Sequence, residues 1–310
     1  MPPASVDKQG LIKPPPLRTG DHVGIISPAG PVEPSQVSFG INYLESKGFT
    51  VHPAPHVYDQ DGYLAGNDRD RLSDLHVMFE DPEIKALFCT RGGYGTLRLL
   101  HKIDYALIRR RPKILVGYSD ITALMMALYA QIGLVTFHGP MVARFASSPE
   151  NALAHLTELL SGSEPVIIRG EGGQVLFEGR ASGPVVGGNL TLLCHLLGTP
   201  FFPPLDGAIL FLEERGEALY RIDRMLTHLA QAGKLSGLAG VVGGQFLDCG
   251  DLDAVNECMT FRFAESDIPV MTGFPMGHGS LNLTIPLGID AEMDTTQMTL
   301  KTLKPHVLEA

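Results

Sequence analysis

Three polar residues each follow an apolar, strand-like run, and their types could together form a hydrolytic centre. Ser119 follows the run Ile114–Tyr118, Glu213 ends the run Ala208–Leu212, and His278 lies between two glycines after another such run. A serine hydroxyl can act as a nucleophile when a histidine removes its proton and a carboxylate orients the imidazole. Such triads are defined by geometry, so the chain order Ser, Glu, His is permitted. The pattern predicts acyl-transfer chemistry.

For Ser119 alone, a structural role competes with catalysis. Serine and aspartate are preferred at helix N-termini, so Ser119 or Asp120 could simply satisfy free N–H groups of the following helix. Alternatively, a strand, a tight turn and a helix hold the hydroxyl at the carboxyl end of the strand, although Ile121 replaces the second glycine of the usual G-x-S-x-G turn. The local pattern leaves both roles open.

The histidine and the acid have similar alternatives. His278 is favoured as general base because its glycine neighbours offer no side chains to bury it, and His138, which also follows a strand-like run, is its rival. A carboxylate such as Glu213 at a strand end is more often exposed than catalytic. Arg215 and Arg221 are expected to form ion pairs with the neighbouring acids.

The glycine-rich segment Arg91–Gly95 also follows a strand-like run. It lacks the lysine and the spacing of a phosphate-binding loop. Its backbone N–H groups suit a substrate carbonyl better, although an ordinary turn between a strand and a helix explains it equally well. The turns at 27–30 and 187–190 are similarly ambiguous.

The elements that must position these residues differ between the two halves of the chain. In the first half, short apolar strands alternate with helical segments, which predicts a parallel sheet with helices on both faces and ligand-bearing loops at the strands' carboxyl ends. The second half is predicted to be β-rich, a small barrel or sandwich with helices packed on it. The expected domains are 1–150, with the serine, and 181–310, with Glu213 and His278; residues 151–180 are expected to link them.

Composition excludes several functions. The 310-residue chain has a formal net charge of −10, which argues against nucleic acid as a partner. Its four cysteines show no CxxC pair and no ligand-like spacing with histidine, so we expect no zinc site and no disulfide framework. The N-terminus lacks an apolar signal core, and no apolar run is long enough to span a bilayer. We expect a cytoplasmic protein that needs no metal or cofactor.

Several motifs, in matching order, resemble one known family. They are SPAGP, TRGGYG, GYSD, TFHGPM, GGNL, LFLEE followed by YRIDRML, and GHG, spread from about Asp21 to about Gly288. This set is similar to the L,D-carboxypeptidases of the murein tetrapeptide carboxypeptidase type. The same serine peptidase family contains the microcin C self-immunity peptidases.

The resemblance implies a flavodoxin-like N-terminal domain, a β-rich C-terminal domain and an active site between them. It implies a cytoplasmic, commonly dimeric enzyme without a metal, acting on the muropeptide L-Ala-γ-D-Glu-meso-diaminopimelate-D-Ala. Carried onto this sequence, the catalytic triad is Ser119, Glu213 and His278. The oxyanion hole is formed by the backbone N–H groups of Gly93 and Asp120, and candidate substrate-binding residues are Arg91, Tyr94 and Asn189.

Two other functions stay open. A microcin-type immunity peptidase would cleave aminoacyl- or peptidyl-nucleotide conjugates, but such enzymes carry a longer insertion with stacking aromatics, often tryptophan. This chain has no tryptophan and no long insertion between Ser119 and Glu213, which favours the murein substrate. A non-catalytic small-ligand binding protein on the same scaffold is disfavoured because all three triad residues are present.

Overall fold

A computed structural model of the chain describes residues 10–162, 164–170 and 172–308. Parts of all three predicted segments lie outside the described residues: residues 1–9 of the N-terminal domain, Ser163 and Glu171 of the predicted linker, and residues 309–310.

The first half alternates strands and helices as predicted. Its elements are β1 His22–Ile26, α1 Pro34–Ser46, β2 Thr50–Pro53, α2 Asp68–Glu80, β3 Ile84–Cys89, α3 Tyr105–Arg110, β4 Ile114–Gly117, α4 Ile121–Ile132 and β5 Thr136–His138. Short 3₁₀ helices lie at Thr96–Arg98, Leu100–Lys102 and Val142–Ser147.

The second half contains more strands. Its elements are α5 Glu150–Ser161, β6 Ile167–Arg169, β7 Val175–Phe177, β8 Arg180–Asn189, α6 Leu190–Leu196, β9 Ile209–Arg215, α7 Leu219–Gln231, β10 Gly240–Leu247, α8 Leu252–Phe263, β11 Val270–Met271, β12 Ile285–Leu287, β13 Asp290–Asp294 and β14 Thr299–Thr302.

The first sheet has six strands in the order β12-β5-β4-β3-β1-β2. Strands β1 to β5 are parallel, whereas β12 joins β5 antiparallel. The central strands β3 and β4 are apolar and buried except at Lys85, as expected for strands covered on both faces. Their carboxyl ends therefore meet at one edge, where the loops after β1, β3, β4 and β5 converge.

The second sheet has eight strands in the order β6-β14-β13-β8-β9-β10-β11-β7. Strands β8 to β11 are parallel, and antiparallel strands flank them. The two edge strands, β6 and β7, are separated in sequence by residues 170–174 only, which can span about 20 Å at most. The sheet therefore curls until its edges approach, close to the barrel that was one of the two predicted arrangements.

Residues 151–180, predicted as a linker, contain most of α5 and both edge strands of the second sheet. Their glycines and proline suggested a connection, but apolar residues such as Ile168 pair with the strands beside them. Conversely, β12 lies within the predicted C-terminal domain and pairs in the first sheet. The buried apolar side chains of both halves form one continuous cluster. Within the described residues, no helix is both long and apolar enough to cross a membrane.

Candidate active site

Ser119 lies in a tight turn between β4 and α4. Its φ is 62°, a left-handed conformation that is strained for a residue with a side chain. The Ser119 carbonyl accepts a hydrogen bond from Thr122 N (2.9 Å), and the Tyr118 carbonyl accepts one from Ile121 N (3.2 Å). Asp120 occupies the N-cap of α4, but its side chain makes no capping hydrogen bond. The strained serine therefore fits a presented nucleophile better than a helix cap.

The Asp120 carboxylate instead holds the glycine-rich loop against this turn. Its Oδ2 accepts hydrogen bonds from Thr96 N and Thr96 Oγ1, both 2.9 Å, and Thr96 Oγ1 also donates to the Asp120 carbonyl (2.7 Å). Burial raises the pKa of Asp120, and the Thr96 hydrogen bonds act against that rise. The loop that contains Gly93 is thereby fixed beside the backbone N–H of Asp120.

Gly92 contacts the nucleophile turn directly. A Cβ added at Gly92 would lie 2.8 Å from Ser119 Cβ, 2.9 Å from Ser119 Oγ and 3.2 Å from Asp120 N. The Gly92 carbonyl accepts a hydrogen bond from Gly30 N (3.1 Å), which ties the loop after β3 to the loop after β1. Gly93 has a φ of 114°, which favours glycine. The close approach of this loop to Ser119 and to the loop after β1, rather than phosphate binding, explains the glycines at this point.

Glu213 and His278 form a buried pair. His278 Nδ1 and Glu213 Oε2 are 2.6 Å apart, and the two residues are 8% and 0% exposed. Glu213 Oε1 has no hydrogen-bond partner among the described residues. A histidine bonded through Nδ1 to a buried carboxylate is held in one orientation, with Nε2 left to exchange a proton.

Two amide side chains fix the turn that presents His278. Gln245 Oε1 accepts from Gly279 N (2.6 Å) and its Nε2 donates to the Leu281 carbonyl (2.9 Å). Asn282 Oδ1 accepts from Gly277 N (2.9 Å). A Cβ at Gly277 would lie 2.9 Å from Glu213 Oε2. The glycine before His278 therefore allows the turn to pack against the acid.

The serine and the histidine line the same cavity, of about 230 Å³. Arg91, Gly93 and Tyr118 also line it. Arg91 and Gly93 line, in addition, a neighbouring cavity of about 560 Å³ together with the exposed side chains of Tyr63 and Tyr94. The structure thus brings five predicted residues to adjoining cavities, with Glu213 directly behind His278: Ser119, His278, Gly93, Arg91 and Tyr94.

A family model described as the LD-carboxypeptidase N-terminal domain matches residues 23–139, and one described as the C-terminal domain matches residues 182–293. The chain belongs to the LD-carboxypeptidase family. The family and the relatives of this chain are serine-type carboxypeptidases, as the sequence motifs indicate.

Among its relatives is a probable murein peptide carboxypeptidase from Bacillus subtilis, 39% identical over 301 residues that cover 93% of each chain. A solved structure of a muramoyltetrapeptide carboxypeptidase from Oxalobacter formigenes is 32% identical, with a TM-score of 0.80 over 90% of this chain and 97% of that one. An MccF-like protein from Bacillus anthracis is 30% identical, with a TM-score of 0.89 over 94% and 99%.

In this family member, His138 is not in a position to act as the base. It is fully buried, and burial lowers its pKa to about 3, with His278 nearby adding to the shift. Its ring packs edge-on against Phe211 and tilted against Tyr118. His138 is thus a neutral part of the wall behind His278.

The structure places Asn189 away from the predicted substrate-binding role. Its Nδ2 donates to Glu214 Oε1 (2.8 Å), and its Oδ1 accepts from Leu192 N (3.2 Å) as the N-cap of α6. It is 4% exposed and is not among the described residues that line the two cavities. The turn-like GGN pattern suggested a ligand-facing backbone, but the amide instead satisfies a buried acid.

Sequence reasoning missed two arginines that line the serine's cavity, Arg144 and Arg215. Arg215 was expected to pair with nearby acids, but its Nε lies 3.7 Å from Asp248 Oδ2 in an exposed contact, while Arg221 does pair with Glu217 (3.1 Å). Side chains alternate along a strand, so Arg215 shares a face of β9 with Glu213, and this spacing could have revealed it.

Proposed function

We propose that the protein is a serine L,D-carboxypeptidase that releases the terminal D-alanine from murein tetrapeptide. One observation carries this proposal: the strained Ser119 shares a cavity with His278, and His278 bonds to the buried Glu213 at 2.6 Å. This is the arrangement of a nucleophile, a general base and an orienting acid. The murein substrate is supported by the names of the relatives.

In the proposed mechanism, His278 Nε2 removes the proton from Ser119 Oγ, which attacks the carbonyl of the diaminopimelate–D-Ala bond. The imidazolium then donates that proton to the departing amine of D-alanine. Water hydrolyses the acyl-enzyme with His278 again acting as base. Glu213 holds His278 in the required imidazole tautomer and stabilises the imidazolium that forms. The negative charge of the buried carboxylate is thus balanced when His278 is protonated.

The negative charge that develops on the carbonyl oxygen during attack by Ser119 must be stabilised by two hydrogen-bond donors. The backbone N–H groups of Gly93 and Asp120 are the proposed pair; neither donates any hydrogen bond that the structure assigns among its described residues. The Asp120–Thr96 hydrogen bonds keep these two segments together. Loss of one such donor typically costs about 10²–10³ in rate.

The biological setting is part of the same proposal. We propose that the enzyme removes D-alanine from free muropeptides in cell-wall recycling and that it acts in the cytoplasm. The family resemblance implies a homodimer, and light scattering coupled to size-exclusion chromatography tests that part.

The test is mass spectrometry after incubation with the diaminopimelate tetrapeptide and, separately, with a peptidyl-nucleotide. We expect loss of D-alanine from the tetrapeptide with the native protein and no detectable loss with Ser119→Ala. Ser236→Ala, which changes an exposed serine remote in sequence from the site, is the matched control and is expected to retain full activity.

Each other outcome identifies an alternative. Cleavage of only the peptidyl-nucleotide would assign the chain to the immunity-peptidase function. Undiminished hydrolysis by Ser119→Ala would exclude this serine as nucleophile. Tight binding of the tetrapeptide by native protein without any cleavage would favour the non-catalytic binding protein.

A further inference from the structure

The cavity that holds Ser119 and His278 is strongly cationic. Three arginines, Arg91, Arg144 and Arg215, line it, and no aspartate or glutamate is among the described residues that do so. This local excess contrasts with the chain's formal net charge of −10. Three guanidinium groups beside one nucleophile indicate a substrate that carries several anionic groups.

Protein carboxylates do not neutralise these guanidinium groups. Within the described part of the chain, the arginines that form ion pairs do not include Arg91 or Arg144, and Arg91 Nη1 donates to the Pro31 carbonyl (3.2 Å). Arg215 has the long contact to Asp248, and both side chains are more than half exposed. An exposed contact of that length contributes little. All three groups are therefore available to a bound anion.

The three arginines lie on two sides of the nucleophile. Arg144, Arg215 and Tyr118 line this cavity together, and both guanidinium charges act to lower the pKa of the Tyr118 hydroxyl, which burial raises overall. The Tyr118 ring packs edge-on against His278, with centroids 4.9 Å apart. Arg91 instead belongs to the glycine-rich loop and also lines the neighbouring cavity with Tyr94.

Reaction geometry assigns the two sides different parts of the substrate. The amine of the departing residue must be at His278, because that side chain returns the proton. In a C-terminal residue the carboxylate carbon is only about 2.5 Å from that amine nitrogen. The carboxylate is therefore on the His278 side of Ser119, where Tyr118, Arg144 and Arg215 lie.

We propose that Arg144 and Arg215 bind the free carboxylate of the departing C-terminal residue, and that Arg91 faces the acyl part of the substrate. This inference rests on the proposed carboxypeptidase function. Arg144 comes from the 3₁₀ helix after β5 and Arg215 from the end of β9. A bound carboxylate is thus held by one arginine from each half of the molecule. A peptide extended by one more residue has no carboxylate at this position, so the pair selects substrates with a single residue beyond the scissile bond.

The test compares the tetrapeptide with its C-terminal amide, using kcat/KM for native protein, Arg144→Met, Arg215→Met and Arg91→Met. A hydrogen-bonded charge pair is worth about 10- to 150-fold. We expect each of the first two variants to lose this factor on the acid and less than about threefold on the amide, so the acid-to-amide ratio falls. Arg91→Met is expected to lower both values together. Arg109→Met, an exposed arginine of α3, is the control and leaves both unchanged.

Lysine variants at Arg144 and Arg215 keep the positive charge but lose the planar guanidinium group that can bind a carboxylate through two hydrogen bonds. We expect each to give an acid-to-amide ratio of kcat/KM between those of the native protein and the methionine variant. Equal losses on acid and amide in the Arg144 and Arg215 variants would overturn the inference, as would a collapse of the ratio in Arg91→Met. If native protein cleaves neither form, the proposed function itself is wrong and the inference falls with it. Circular dichroism of each variant confirms that the comparison is made on folded protein.

Discussion

The contact between Gly92 and the nucleophile turn leads to a sharp prediction for Gly92→Ala. Gly92 is not among the glycines with a positive φ, so the strain of a left-handed backbone does not count against alanine there. The added methyl group would nevertheless lie 2.8 Å from Ser119 Cβ and 2.9 Å from Ser119 Oγ. Carbon atoms in contact prefer about 3.5–4.0 Å, so Ser119 or the loop must move by roughly 1 Å.

This displacement falls on the groups that react. A misplacement of about 1 Å at a reacting group can cost roughly 10²-fold in rate. The oxyanion donors of Gly93 and Asp120 adjoin the same contact, so we expect kcat to fall at least 100-fold. Crowding of a packed site costs about 1–3 kcal/mol in the free energy of unfolding, so the variant should remain folded.

The assay is the steady-state release of D-alanine, together with urea unfolding of the same preparations. Gly162→Ala is the matched control, because its added methyl group would meet only the Glu158 carbonyl at an ordinary 3.4 Å. We expect Gly162→Ala to retain native activity. Activity of Gly92→Ala within twofold of native would refute the assignment of this loop to the oxyanion hole.

Two further predictions concern the buried groups behind the nucleophile. Glu213→Gln should reduce kcat about 10³- to 10⁴-fold because the amide permits the wrong imidazole tautomer. Glu214→Gln, which alters the buried acid that holds α6, should instead mainly lower the free energy of unfolding. A larger loss of kcat in Glu214→Gln than in Glu213→Gln, or a larger loss of stability in Glu213→Gln by urea unfolding, would contradict this assignment. His138 has a folded pKa of about 3, below its unfolded value, so its contribution to stability is complete above about pH 6.5 and is lost as pH falls. From pH 6.5 to pH 5 the native protein should lose roughly 2 kcal/mol more in unfolding free energy than His138→Phe, and equal losses in urea titrations would show that His138 is not held neutral.

The parallel sheet of the first half was predictable because its signals are local. Helix α2 is one of the predicted helical segments, and the side chain of Asn67 caps it by accepting from Asp70 N (3.0 Å). Strand β8 was missed because its glycines resemble a turn. A Cβ at Gly187 would lie 2.0 Å from the Phe211 carbonyl, so the glycine permits close pairing with β9. That requirement arises from a distant strand and leaves no local pattern.

The functional site likewise has residues that could be predicted from the sequence and others that could not. Ser119, Glu213 and His278 follow apolar runs, so their elements and their chemistry could be recognised together. The groups that hold them were not recognisable, because the side chains of Thr96 and Gln245 bond to backbone atoms of other loops, the Asp120 carbonyl and Gly279 N. Such contacts depend on which loops meet in three dimensions, and residue type alone does not predict them.

The pairing of β12 with the first sheet explains how a base from one half is aligned with a nucleophile from the other. Only six residues separate His278 from Ile285, where β12 begins its antiparallel pairing with β5. On its other side, His278 bonds to Glu213 in the second sheet. The base is therefore tied to both sheets within a few residues. Because β5 neighbours β4, which leads into Ser119, any shift of the two halves must disturb these pairings before the serine and the histidine can separate.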